Sequence, residues 1–563
     1  MACSKIFSGD LPELINEIIQ YFRNDFSTLH SCILVNRLWC RLAIALLWEN
    51  PFTKNSFKNY NFIEIYLSKL SEDDKVKLIE YGINSDLLPS STLFNYPSYI
   101  QRLDINKVCH SIKKWVENVR TLRIKEQPDN LPTKASNFNQ SDLQRFIFLS
   151  LIKLFIENEV KLHAFEIESS YVTFEIISGY YFVSAFQLIL QNPSFTCNVK
   201  NLNIYFNGLS SNLLLFLKCF YSNCNSISSL YIRYSYDDSE KELLKVINSQ
   251  HNLKKIFFDY IDNNPLKTIK NSNCINTLKT IIFHRIHLKS LEANFNEVFE
   301  QLNVLDSIHI LYCYSFDSTI IQHIINLTKP FKLRSLFMDD SSSILQVEQL
   351  RLLLQKFGIY LENFGFELPS YELKLHLFSL IKIYCNNIKF IDVLGFDDQN
   401  VFSMLDLIEN VQKNLNYLNI NFYQFGYNSQ LSYDNKLSST ILQNLGKILF
   451  NRLEYLSLAL KINSDDLEKF FKDSQNIFIS KLLIRNKLYQ ESDTILPCIK
   501  KYAMKEKRIS YIAMENLPTY SNSERYDLFN FKDEVKEFEF YGIKVTMYDD
   551  LCIKLRDFIN ESY

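Results

Sequence analysis

The chain has 563 residues, with 61 Lys and Arg against 63 Asp and Glu and a formal charge of −2. That balance lacks the basic surplus of a general nucleic-acid or anionic-membrane binder, and hydrophobic residues at 47% exclude global disorder. Glycine is scarce at 10 residues, and the closest pair, Gly358 and Gly365, is too far apart for a dinucleotide fingerprint or a phosphate-cradling loop. The 12 cysteines include no Cys-x-x-Cys pair, and only Cys219 and Cys224 approach the spacing of paired metal ligands. Reduced thiols and an N-terminus without an apolar leader predict an intracellular protein, cytoplasmic or nuclear.

The first predicted element is an amphipathic helix with Asp10 as N-cap and Pro12 in its first turn. Leu11, Leu14, Ile15, Ile18, Ile19 and Phe22 then form one helical stripe. Asp25 to Thr28 marks a loop and a second cap. Leu29, Cys32 and Ile33, then Val35, Leu38, Trp39 and Leu42, supply two further short helical faces, and Pro51 ends the run.

The ordered set Leu11, Pro12, Leu14, Ile18, Val35, Arg37 and Trp39 resembles an F-box, which begins on Leu-Pro and closes on Val-x-Arg-x-Trp. Glu13 directly after Pro12 and a slightly long loop at 23–28 depart from that pattern. The resemblance covers about 40 residues (1–52 as a domain) and implies docking to the adaptor subunit of an SCF-type ubiquitin ligase, and through it to a cullin scaffold. Those seven residues are then the adaptor contacts, with Leu11 and Pro12 the first to face a partner. On residue type alone, Ile18, Val35 and Trp39 equally suit the core of a helical cap.

Residues 53–115 read as a helical connector. Beyond them a hexad recurs, apolar at its first, fourth and sixth positions. Copies run from Val119-Arg-Thr-Leu-Arg-Ile124 and Leu162-His-Ala-Phe-Glu-Ile167 to Ile509 and Val535. From Leu202 to Leu418 the fourth-position residues recur at 25 to 28 residues over eight consecutive gaps. The last two apolar positions alternate as in a strand, and the intervening segments have helical spacing. Such a unit cannot bury its apolar face alone, so the units must stack. The pattern resembles leucine-rich repeats of the RNI-like kind over residues 116–545, although the Asn or Cys after the strand appears only as Asn207 and Cys313. The expected fold is α/β: a small helical F-box, a curved solenoid with a parallel strand ladder and outer helices, and a helical cap at 546–563.

In a strand of this kind, residues flanking the core positions point onto the inner curve. Those positions include Tyr231, Arg233, Phe257, Asp259, Ile282, His284, Phe337, Asp339 and Glu367, and they predict a substrate surface of exposed rings with a negative rim. A basic or aromatic-bearing segment of a target protein would fit it, unless a C-terminal loop or the curvature itself covers the rings. Candidates for chemistry are thin. His284 and His287 stand three apart without a nearby ligand in sequence, and no Gly-x-Ser-x-Gly or His-Glu-x-x-His occurs. No catalytic residue, metal or cofactor is predicted, and neither nucleic acid nor membrane is an expected partner. The function expected is that of a non-catalytic substrate-recognition subunit of an SCF-type ligase. The alternative is a leucine-rich-repeat interaction scaffold whose N-terminal helices only cap the repeats.

Overall fold

The computed structural model describes residues 12–23, 25–53, 60–83, 85–126, 140–168, 180–206, 211–234, 240–338, 346–366, 371–395, 399–421, 431–449, 452–487, 495–506, 508–516 and 526–563. The chain divides into two compact units, Met1–Ile256 with Lys267–Leu278, and Phe257–Leu266 with Lys279–Tyr563. In both units parallel strands alternate with helices, so the fold is α/β.

The first unit opens on three helices, α1 (Pro12–Tyr21), α2 (Phe26–Ile33) and α3 (Arg37–Trp48). Two caps set their starts. The Asp25 carboxylate accepts from the Thr28 N–H at 3.1 Å, and the Asn36 side chain accepts from the Trp39 N–H at 3.0 Å. Ile15, Ile19, Leu29, Cys32, Trp39, Ala43, Ile44, Leu46 and Leu47 form the small core of this module. The expected cap Asp10 and the contact residue Leu11 lie outside the described residues.

Strands of the first unit are β1 (Arg102–Asp104), β2 (Ala164–Glu168), β3 (Asn201–Phe206) and β4 (Ser229–Tyr234), parallel in chain order. Two expectations are corrected here. A strand, β1, lies inside the stretch read as a helical connector, and the first hexad, 119–124, lies within the helix Ile105–Glu126. That helix buries Trp115, whose indole N–H donates to Glu64 at 3.0 Å.

A strand β5 (Lys255–Asp259) spans the residues where the first unit ends and the second begins. The second unit continues with β6 (Thr280–His284), β7 (Ser307–Leu311), β8 (Lys332–Met338), β9 (Asn363–Phe366), β10 (Phe390–Leu394) and β11 (Tyr417–Asn421). It ends with β12 (Arg452–Leu460), β13 (Phe478–Asn486), β14 (Ile509–Asn516), β15 (Tyr526–Asp527) and β16 (Lys544–Val545). From β6 to β14 all neighbours are parallel; β15 joins β14 antiparallel and β16 joins it parallel.

Every strand from β2 to β14 carries one hexad. Within β2 to β4 and within β6 to β14 the register aligns their fourth positions, as in Phe165↔Leu202 and Leu202↔Leu230, and in Leu336↔Phe364, Phe364↔Ile391, Ile391↔Leu418, Leu418↔Leu456, Leu456↔Leu482 and Leu482↔Ile512. One irregularity sits between β7 and β8, where a bulge after Ile308 sets Ile310 rather than Ile308 opposite Leu336. The last hexad, 535–540, is helical, within Lys532–Phe540.

The fourth and sixth positions face the helices. Phe283, Ile308 and Ile310 line a cavity of about 10 Å³ with Phe295, Phe299 and Ile320 from the following helical segments. Phe366 packs edge-on to Phe378 of the helix Tyr371–Tyr384 at 5.3 Å. Leu336, Met338, Leu418 and Ile420 are all buried, as this packing requires.

A backbone device ties one strand to the next. The Lys200 carbonyl accepts from the N–H groups of both Ser228 and Ser229, and the Lys389 carbonyl from both Asn416 and Tyr417. At the start of the ladder the Glu49 carbonyl, just past α3, accepts from Gln101 and Arg102 in the same way. The helical module thus occupies the place of a preceding repeat. No helix among the described residues is long and apolar enough to cross a membrane.

Candidate docking surfaces

The N-terminal module sorts the predicted adaptor contacts into two groups. Trp39 is buried in its core, and Ile18 is half-buried. Pro12, Leu14, Val35 and Arg37 face solvent, and Leu11 lies outside the described residues. Periodicity explains the split on α1. Ile15 and Ile19 point to the core, whereas Leu14, Ile18 and Tyr21, spaced by four and three, share the adjoining side. Leu14 is 41% exposed and Tyr21 88%, and the turn after α2 adds Leu34 at 87% and Val35 at 46%.

The second predicted surface is corrected by the structure. Phe257, Ile282 and Phe337 are buried rather than presented to solvent, and Asp259 is buried with them. In the first unit Tyr231 is also buried, its ring 4.6 Å from that of Tyr205, while Arg233 is half-buried. Asp339 and Glu367 lie outside the described residues.

Part of the inner face of the second unit is covered by its own last segment. Tyr548 packs with Tyr455, Leu483 and Ala513 on the inner positions of β12 to β14, and its hydroxyl lies 3.5 Å from that of Ser457. The Ile553 N–H donates to the Tyr455 hydroxyl at 3.2 Å. Along the helix Leu555–Ser562, the Phe558 ring sits 5.2 Å from Phe390 and 4.9 Å from Tyr417. The Arg556 guanidinium approaches Asp259 at 3.9 Å. Finally the Tyr563 hydroxyl donates to Glu362 at 3.0 Å and accepts from Asn363 at 2.9 Å, with its ring 4.5 Å from that of His309.

Beneath this segment the inner positions are unexpectedly polar. His284 Nδ1 and the Asp259 carboxylate meet at 2.6 Å. The ladder supplies the acidic neighbour that His284 lacks in sequence, from one strand back. His309 Nδ1 bonds the Ser335 hydroxyl at 2.8 Å, and the same hydroxyl accepts from Asn363. Glu362 is pushed up by burial, but Lys389, Tyr563 and Arg334 outweigh this and hold its carboxyl below the usual range. Phe337 fits because the residue opposite it is Gly365, where a Cβ would stand 2.5 Å from the ring.

Asp392 is a second buried carboxylate of this face beside Asp259, accepting from Tyr312 at 2.8 Å and Asn419 at 2.7 Å. Burial raises its pKa, and the two donors only partly offset that. A raised carboxyl stabilises the fold below its unfolded pKa, and this contribution is lost as pH rises through the folded value. Asp392→Asn removes that dependence. Denaturation curves are expected to show the variant gaining on the parent from pH 4 to pH 7, by about 1.4 kcal/mol per unit of raised pKa. A constant difference across that range would contradict the assignment.

Among the described residues no group of three or more His, Cys, Asp or Glu is arranged to hold a metal ion. His287 stacks loosely on Tyr314 at 4.9 Å. The described cysteines are free thiols, and burial pushes Cys219 and Cys385 up to about 12 and Cys498 up to about 11. Such thiols are the opposite of activated nucleophiles.

A scan of the chain against protein-family models finds no match, and a search of curated proteins finds none either.

Proposed function

We propose that the chain is a non-catalytic substrate receptor of an SCF-type ubiquitin ligase. On this reading the N-terminal module is an F-box that docks the adaptor subunit and through it the cullin scaffold. The strand–helix repeats are a leucine-rich-repeat solenoid that holds a target protein. The observation that carries the reading is the exposed apolar set on the module: Leu14 and Val35 face solvent although the three helices already have a closed core around Ile15, Ile19 and Trp39. Apolar side chains left outside a complete core suit a partner's groove.

Capture of purified adaptor subunit tests it. The chain should bind, and Leu14→Glu with Val35→Glu should weaken binding by about 100-fold or more, as two buried interface anchors would. Both positions are exposed, so thermal unfolding should stay within the small range of surface substitutions. A parent chain that fails to bind, or a double variant that binds equally, sinks the reading.

A second reading has its own support. The Glu49 carbonyl joins the module to β1 by the device that joins successive repeats. This suits a repeat scaffold whose first helices act only as a cap, and failed capture by the parent chain would favour it.

A further inference from the structure

We propose that the inner face of the second unit is a receptor for a segment of a partner protein that carries a cation and aromatic rings, held closed by residues 548–563 until that segment displaces them. The inference names a second surface and does not depend on the adaptor.

The covered face mixes two kinds of contact with the last segment. Asp259, His309, Asn363, Glu362 and Ser457 are groups that water can satisfy once they are uncovered, whereas Phe390, Tyr417, Tyr455, Leu483 and Ala513 need an apolar or aromatic replacement. The helix-facing side of the same strands is apolar throughout and would not tolerate exposure. Within 548–563 only Tyr548 and Ile559 are fully buried, and the rest of the helix Leu555–Ser562 is half-buried or exposed. A segment so lightly anchored belongs to the low-stability end of a fold. It also leaves the face unfilled, for a cavity of about 530 Å³ opens beside Ser562 and Tyr563, lined by Thr280, Ser307 and Asp306 among others.

The segment defines the chemistry of what replaces it. Arg556 answers the buried Asp259, Phe558 fills the gap between Phe390 and Tyr417, and the Tyr563 phenol satisfies Glu362 and Asn363 together. A displacing segment therefore carries a cation and, two residues on, an aromatic ring on one short helix, with a hydroxyl-bearing ring five residues further, just past the helix end.

The test uses a fluorescent peptide of residues 546–563 and the full chain. In the chain variant Arg556→Ala/Phe558→Ala/Tyr563→Ala the tethered segment no longer competes at an effective concentration on the order of millimolar, so the peptide should bind it at least about tenfold more tightly than the parent chain. A peptide of scrambled sequence should not bind. A folded variant that binds the peptide no better than the parent overturns the proposal. Should the variant fail to fold, hydrogen exchange on the unchanged chain decides. Amides of 555–562 are expected to exchange at least about 100-fold faster than those of β8 to β11, and equal protection overturns the proposal. Adaptor capture, read through Leu14 and Val35, is a separate measurement and is unaffected by either outcome.

Discussion

Leu418→Asp is expected to leave little folded second unit at neutral pH. Leu418 is fully buried and lies in register between Ile391 and Leu456, both fully buried as well. A carboxylate there loses its hydration, and no donor faces it in that apolar layer. The penalty of several kcal/mol compares with a total stability of roughly 5–15 kcal/mol for a domain. Leu418→Ala serves as the graded control, since the cavity alone costs about 2–5 kcal/mol. The expected order in chemical denaturation is parent, then Ala, then Asp, with the Asp variant already unfolded or aggregated without denaturant. Stacked repeats pass such a defect to their neighbours, so protection should fall in β10 and β12 as well as β11. An Asp variant with near-parental stability would mean that position 418 is not in the layer between strands and helices.

What was legible in the sequence was the repeating unit, because the ladder enforces it. Each fourth position must meet its neighbour in register, so the spacing of Leu336, Phe364, Ile391 and Leu418 records the geometry directly. A single hexad carries less information. Its first step of three residues suits a helix as well as a strand, and the copies at 119–124 and 535–540 are helical. Conversely β1 carries a copy that the run starting at Val119 passes over, Ile100-Gln-Arg-Leu-Asp-Ile105, whose fourth position Leu103 is in register with Phe165. The N-terminal stripe was legible as one helix, but α1 uses two of its sides, and only the packing of Ile15 and Ile19 separates core from surface.

The inner face was misread for a physical reason. Alternation in a strand says that Phe257, Ile282 and Phe337 leave the helix-facing layer, and it says nothing of what lies beyond them. The cover comes from far along the chain, as between Asn363 and Tyr563, 200 residues apart. One signal was present. Residues 546–563 interleave Tyr548, Phe558, Ile559 and Tyr563 with charged residues, more apolar bulk than a solvated segment requires.

A double-mutant cycle on Arg485 and Glu515 tests how that cover is joined to the ladder. The two residues are in register on β13 and β14, and Glu515 is fully buried while Arg485 keeps about a quarter of its side chain exposed. Two guanidinium nitrogens reach one Glu515 oxygen at 3.0 and 3.2 Å. The guanidinium also lies 4.1 Å over the Tyr548 ring, and its Nη2 is 3.7 Å from Asp549. Removal is therefore asymmetric. Arg485→Met takes the cation from a carboxylate that has no route to solvent, and should cost about 3–5 kcal/mol. Glu515→Leu leaves an arginine that still reaches water, Asp549 and the Tyr548 ring, and should cost less. With both changes the buried charge is gone and its volume refilled, so the double variant should recover most of the Arg485→Met loss. Single costs that simply add would show that Glu515 does not depend on Arg485. Peptide binding to Arg485→Met separates the two roles of the arginine: the peptide of residues 546–563 brings its own Tyr548 and loses the same cation as the tethered segment, so it should bind no more tightly than to the parent chain.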